Sequence, residues 1–171
     1  PPPRSSSAAS DVYKRQQIAH TNNVSAMTID STGRVNLPQL IAFTAYVNDG
    51  NGVDVTVGNK VPYDATIINK GNAYNTSTYV FTAPVAGVYW FSFSAWSNNT
   101  SSTARAAFYK NGTAVGRSDY PIGTRHQTSA YETTSASSAI ELAANDTVDI
   151  RVYGATANVF GTNYFSGYLI G

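Results

Sequence analysis

The run Phe81-Thr82-Ala83-Pro84-Val85-Ala86-Gly87-Val88-Tyr89-Trp90-Phe91-Ser92-Phe93 decides the fold. Pro84 has no backbone N–H to give a ladder, so it closes the strand that carries Phe81. Gly87 lets the chain turn a corner, and from Val88 onward the pattern has period two. Tyr89, Phe91 and Phe93 then share one face, which is read as core.

The same alternation extends in both directions. Upstream, Ile41–Val47 ends in the turn cluster Asn48-Asp49-Gly50-Asn51-Gly52, and strands are predicted at 53–57, 61–69 and 79–82. Downstream they are predicted at 88–96, 105–110, 138–142, 147–153 and 164–170, with turns at Lys70-Gly71-Asn72, Asn111-Gly112 and Asn145-Asp146. β-Branched and aromatic residues fill these segments, as a pleated, half-buried surface prefers. The Ala-rich stretch 135–144 could pass for a short helix, but Ile140, Leu142 and the Asn-Asp turn favour a strand. Many short strands with such punctuation make an all-β sandwich or barrel.

Composition narrows the function. The chain has 171 residues, 42% of them hydrophobic, enough for one domain with a real core. No apolar run approaches the roughly 18 residues of a membrane-spanning helix, so no membrane insertion is expected. Cysteine is absent, which removes disulfides and thiolate metal sites. Charged residues are only 12%, so contacts should be hydrogen-bonded, wet and weakly salt-dependent. Without residues 1–16 the balance is 8 basic against 9 acidic residues. No basic stripe is visible along the chain, and no nucleic-acid partner is expected.

Residues 1–16, PPPRSSSAASDVYKRQ, differ from the rest, and DVYKRQ resembles the translation of a transposon-end sequencing adapter. They are expected to be an adapter artefact on a metagenomic reading frame, or else a disordered tail. Residues 17–39 read as a neck. Met27, Ile29 and Val35, Leu37 flank Asp30-Ser31-Thr32-Gly33 as a small hairpin, with Gly33 free to take a positive φ. The main domain is expected over 40–171.

The run from Phe81 to Phe91 resembles the Phe-Thr-Ala-Pro-x-x-Gly-x-Tyr-x-Phe signature of the C1q-domain family. Further landmarks follow in family order. These are Ala42-Phe43-Thr44-Ala45, Ile68 to Tyr74, Lys110-Asn111-Gly112, Ser138 to Val148 with Asn145 where the family has Gly, and Phe165 to Ile170. They cover 41–170. The resemblance implies a ten-stranded antiparallel C1q/TNF-like jelly roll that forms a homotrimer at the tip of a stalk and binds ligands. Phe43 and Tyr46 on the first strand, with Phe165 and Tyr168 on the last, are candidates for the trimer interface. Some such heads hold calcium, for which Asp49, Asn51 and Asp54 offer oxygen ligands; an Asx-rich turn is the simpler explanation. The neck string from Thr28 to Val35 resembles segments preceding such heads in tailed-phage fibres and other virion proteins.

Enzymatic signatures are missing. His20 and His126 lie in the neck and in a long polar loop, and no Gly-x-Ser-x-Gly elbow accompanies them. Glu132 and Glu141 are the two glutamates, and Glu141 alternates with Ile140 and Leu142 toward solvent. Asp146 and Asp149 are read as turn residues. Sequons at Asn75, Asn98, Asn99 and Asn111 are frequent by chance in so Asn/Ser/Thr-rich a chain. Trp96, Asn98 and Asn99 in one loop, and Tyr120 and Tyr131 in another, are candidate contacts to a cell-surface carbohydrate or protein. Solvated loops or subunit contacts fit them as well. The chain is therefore expected to be a non-enzymatic trimeric head of a viral fibre or structural protein, binding a host surface. An architectural trimerisation or capsid-decoration module and a secreted bacterial adhesin are the alternatives.

Overall fold

The computed structural model describes residues 16–19, 25–97, 105–117, 120–125, 132–154, 156–159, 161 and 163–171. The chain divides into two compact units between Leu40 and Ile41.

In the first unit, β1 (Gln16–Ala19), β2 (Ser25–Ile29) and β3 (Val35–Asn36) form a three-stranded antiparallel sheet. Thr28 and Ile29 pair with Asn36 and Val35 around the anticipated turn, where Gly33 has φ +83°. The Asp30 carboxylate holds that turn. It accepts bonds from Thr32 N, Thr32 Oγ1, Arg34 N and Arg34 Nε at 2.6–3.1 Å. β1 begins on Gln16, the last residue of the segment assigned to the adapter, and pairs with Ile29.

The second unit contains β4 (Ala42–Tyr46), β5 (Val53–Val55), β6 (Ala65–Lys70), β7 (Tyr74–Asn75), β8 (Val80–Thr82), β9 (Gly87–Ser97), β10 (Arg105–Lys110), β11 (Thr113–Ala114) and β12 (Gly116–Arg117). It continues with β13 (Tyr120–Pro121), β14 (Gly123–Arg125), β15 (Glu132–Leu142), β16 (Thr147–Tyr153), β17 (Ala157–Val159) and β18 (Tyr164–Leu169). No helix occurs among the described residues. These fifteen segments outnumber the ten expected strands, and β7, β11, β12 and β13 among them are two-residue pieces.

Two sheets face each other. One runs β11-β10-β16-β8-β7 with β14 on β10; the other runs β5-β17-β9-β18-β4-β6 with β15 on β9. Every strand pair is antiparallel. Between the sheets the alternation does what the sequence required. Tyr89, Phe91 and Phe93 of β9 point inward with Phe43, Phe165, Phe81 and Phe108, all essentially solvent-free. The rings mesh across the layer, Phe43 stacking on Phe81 at 5.3 Å and Phe93 meeting Phe108 edge-on at 4.8 Å. The stretch open to a helical reading is a strand. β15 pairs with β9 over its whole length, and Ile140 and Leu142 are buried opposite Tyr89 and Gly87.

Two buried tyrosines tie loops to this core. Tyr63 Oη donates to Ser94 O at 3.1 Å, and Tyr74 Oη donates to Tyr63 O at 3.0 Å. Burial pushes both phenols well above their usual range.

Candidate interaction surface

The strands that bury Tyr89, Phe91 and Phe93 inward turn a second set of residues outward. The register lines these up in rows across five strands. One row reads Lys70, Ala42, Tyr168, Trp90, Ala139, and the next Ile68, Thr44, Ser166, Ser92, Ser137. A third pairs Tyr46 with Tyr164, rings 6.3 Å apart, with Ser94 Oγ accepting from Tyr164 N at 2.9 Å. At the margin Val88 lies opposite Glu141, and Ile170 N donates to Val88 O.

This face is apolar and almost uncharged. Tyr168, Trp90 and Ile170 are 48%, 37% and 57% exposed although the core between the sheets is already filled. In these rows charge occurs only at Lys70 and Glu141, on the two flanks. Ser166 Oγ and Thr44 Oγ1 are 3.2 Å apart, so the central row is polar but partly self-satisfied. So large an exposed apolar surface on a well-packed domain marks an interaction site.

Two of the four interface candidates need correction. Phe43 and Phe165 are 2% and 0% exposed, packed edge-on at 4.9 Å inside the subunit's own core. They have no surface to offer a second copy. Tyr46, half-buried, and Tyr168 lie on the outer face, where Trp90, Tyr164, Val88 and Ile170 join them. Trp90 was legible as the residue alternating with Tyr89 and Phe91.

Asn98, Asn99 and Tyr131 lie outside the described residues, as do His20 and His126. Trp96 and Tyr120 are placed by backbone alone, on β9 and β13. Of the calcium candidates, Asp49 Oδ1 accepts from Asn51 N and Asp54 Oδ1 accepts from Asn158 Nδ2, at 2.8 and 2.6 Å. The described residues contain no group of three acidic or histidine side chains placed to hold a metal ion.

Asp146 behaves as a turn residue. Its carboxylate accepts from Asn111 Nδ2 at 2.7 Å and Ala143 N at 2.8 Å and pairs with Lys110 Nζ at 2.9 Å. Those bonds, that from Asn111 first, hold its pKa down at about 2. Asp149 does not. It sits mid-strand on β16, 2% exposed, and accepts from Arg151 Nε at 2.6 Å and Nη2 at 3.0 Å. A buried carboxylate needs such a partner, which the turn reading missed. An open hollow of about 350 Å³ lies by the β10–β11 turn, lined by Lys110, Asn111, Thr113, Ala114 and Val115. Lys110 Nζ also donates to Glu141 O at 2.9 Å, so the hollow's one cation is already engaged.

Comparison with known proteins decides the family. The C1q domain profile matches residues 42–170, most of the chain. The chain belongs to the C1q domain family. Its C1q domain is 29% identical over 121 residues to the collagen alpha-1(X) chain of Mus musculus, covering 67% of this chain and 17% of that one. This chain thus corresponds to a small part of that relative. Among solved structures, the globular domain of zebrafish complement 1qA is similar with a TM-score of 0.59 at 18% identity, covering 77% of this chain and 98% of that one. The Eiger TNF of S. frugiperda follows with a TM-score of 0.55 at 12% identity, covering 78% and 94%. Murine APRIL gives 0.54 at 8% identity, covering 77% and 99%. These likenesses establish the C1q/TNF jelly roll as the fold. Domains of this family are generally extracellular and non-enzymatic, and its members form trimers and bind receptors.

Proposed function

We propose that this C1q domain is a non-enzymatic homotrimeric head that binds a cell-surface receptor, carried on a viral fibre or structural protein. The uncharged outer face of the β6-β4-β18-β9-β15 sheet carries the trimer reading. Trp90, Tyr164, Tyr168, Val88 and Ile170 form an apolar surface that a second copy can cover, and three copies close the assembly around a threefold axis. The family's trimeric, receptor-binding habit supports the same reading.

Light scattering on the purified chain should give about three times 18.2 kDa. Tyr168→Asp and Trp90→Asp each place a charge in a dry interface, and both should dissociate the trimer while each subunit keeps its β spectrum. A monomer at micromolar concentration, or unaltered trimers in both variants, would overturn the trimer. Incubation with host-surface polysaccharide should release no new reducing ends. Steady release abolished by replacing Glu132 or Glu141 would make the domain a hydrolase.

The viral setting rests on the neck, whose Thr28–Val35 string resembles fibre segments and folds as a hairpin pinned by Asp30. Antibodies against the domain should label the fibre tips of particles whose genome carries the sequence. Labelling spread over the capsid would favour the decoration module, and a bacterial surface signal without particles the adhesin.

A further inference from the structure

Three of the seven Lys and Arg residues between 41 and 171, namely Lys60, Arg105 and Arg151, converge on the outer face of the β10–β16 sheet. They come from separate strands or loops, and only the register brings them together. Arg105 lies opposite Tyr153. In the adjoining row Gly123, Ala107, Arg151 and Lys60 follow one another. The third row is Ala114, Tyr109, Asp149. The alternate positions Ala106, Phe108, Val148, Ile150 and Val152 are buried in the core, so these rows face away from it. No stripe is visible along the sequence because the fold assembles the patch from dispersed cations.

At these positions one carboxylate stands against three cations, and it is spent. Asp149 is buried under the two-pronged contact of Arg151. Arg105 has no such partner. Its Nε is buried without an acceptor, and its guanidinium lies 5.7 Å from the centre of the Tyr153 ring. The domain is nearly charge-balanced as a whole, so abundance does not explain the cluster.

We propose that this face binds the carboxylate or sulfate groups of an acidic polysaccharide. Nucleic acid fits less well. The Tyr109 and Tyr153 rings already carry the guanidinium groups of Arg151 and Arg105, at 5.0 and 5.7 Å, which compete with base stacking. Three cations also make a short track for a phosphate backbone. The patch names a ligand class for the binding role proposed above. It lies on the other sheet from the apolar face, so it stands whether or not the domain trimerises.

The full chain should be titrated at low salt with four probes: heparin-derived oligosaccharides for sulfate, hyaluronan oligosaccharides for carboxylate, neutral dextran and single-stranded DNA. One or both acidic saccharides should bind, which identifies the preferred group, and dextran should not. The double variant Lys60→Gln/Arg105→Gln should lose at least about tenfold in affinity, and its slope of log affinity against log salt should fall by about two. Light scattering on the variant should give the wild-type mass, separating loss of the patch from loss of assembly. Unchanged affinity in the variant, equal binding of dextran, or no binding of either acidic saccharide would overturn the proposal. So would tighter binding of DNA with the same dependence on Lys60 and Arg105, which would reassign the face to nucleic acid.

Discussion

Gly167 on β18 stands opposite Phe91 on β9, and a Cβ there would come within 2.6 Å of Phe91 Cε1 and 2.8 Å of Phe43 Cε1. The missing side chain lets rings from two neighbouring strands close over the last strand. Gly167→Ala should therefore cost about 1–3 kcal/mol by overpacking. Urea denaturation checks this; a midpoint within error of wild type would mean the rings move aside freely.

Tyr79 takes the left-handed conformation at φ +60°, where a β-carbon is strained. Its amide donates to Asn75 O at 2.8 Å, and Asn75 Oδ1 accepts from Ser77 N and Thr78 N, so the turn leaves no other path. Tyr79→Ala and Tyr79→Gly both remove the ring, but only Ala keeps the strain. The Gly variant should be about 1 kcal/mol more stable than the Ala variant. Calorimetry on the pair tests this, and the reverse order would show the turn relaxing in solution.

The Asp146 carboxylate is held at about 2, below its ordinary 3.8, first by the Asn111 side chain and then by Lys110. A group whose folded pKa is depressed contributes stability above its unfolded pKa and loses it as pH falls through the folded one. Melting temperature should thus decline between pH 3.8 and about 2. Asp146→Asn should flatten that decline while lowering stability at neutral pH. An identical acid slope in the variant would assign the titration to other carboxylates.

Buried Asp149 is paired with half-buried Arg151 on the cationic face. Asp149→Asn leaves a guanidinium facing a neutral amide and should cost roughly 3 kcal/mol. Adding Arg151→Leu should restore part of that loss, because the orphaned charge goes with it. Chemical denaturation of both variants gives the comparison; a double variant weaker than the single would show that Arg151 supports the fold through other contacts.

The inward face of the sandwich was legible because it depends on neighbours in sequence. Tyr89, Phe91 and Phe93 alternate within one strand, and Pro84 and Gly87 mark its start. The outward face was harder to read. Phe43 and Tyr46 are three positions apart, as are Phe165 and Tyr168, and in a regular strand such positions point to opposite sides. No pair of that kind can lie wholly on one interface, and the core claimed Phe43 and Phe165. The cationic patch was illegible for a different reason. Lys60, Arg105 and Arg151 become neighbours only through the pairing of β10 with β16 and the bridge from Lys60, which no local pattern encodes. The Asp149 pairing was missed likewise, since its burial follows from the packing around mid-β16.

The first and last strands of the C1q domain are antiparallel neighbours, with Ala42 opposite Tyr168 and Leu169 N donating to Ile41 O at 3.1 Å. The polypeptide therefore enters and leaves the domain at the same end of the sheet. Tension between those two points would peel β18 from β4 one hydrogen bond at a time, as a zipper opens. Tension between Ile41 and a point elsewhere on the domain would instead load the β4 ladders lengthwise, with their bonds resisting together. The domain thus resists pull along β4 and yields to pull between its own two ends.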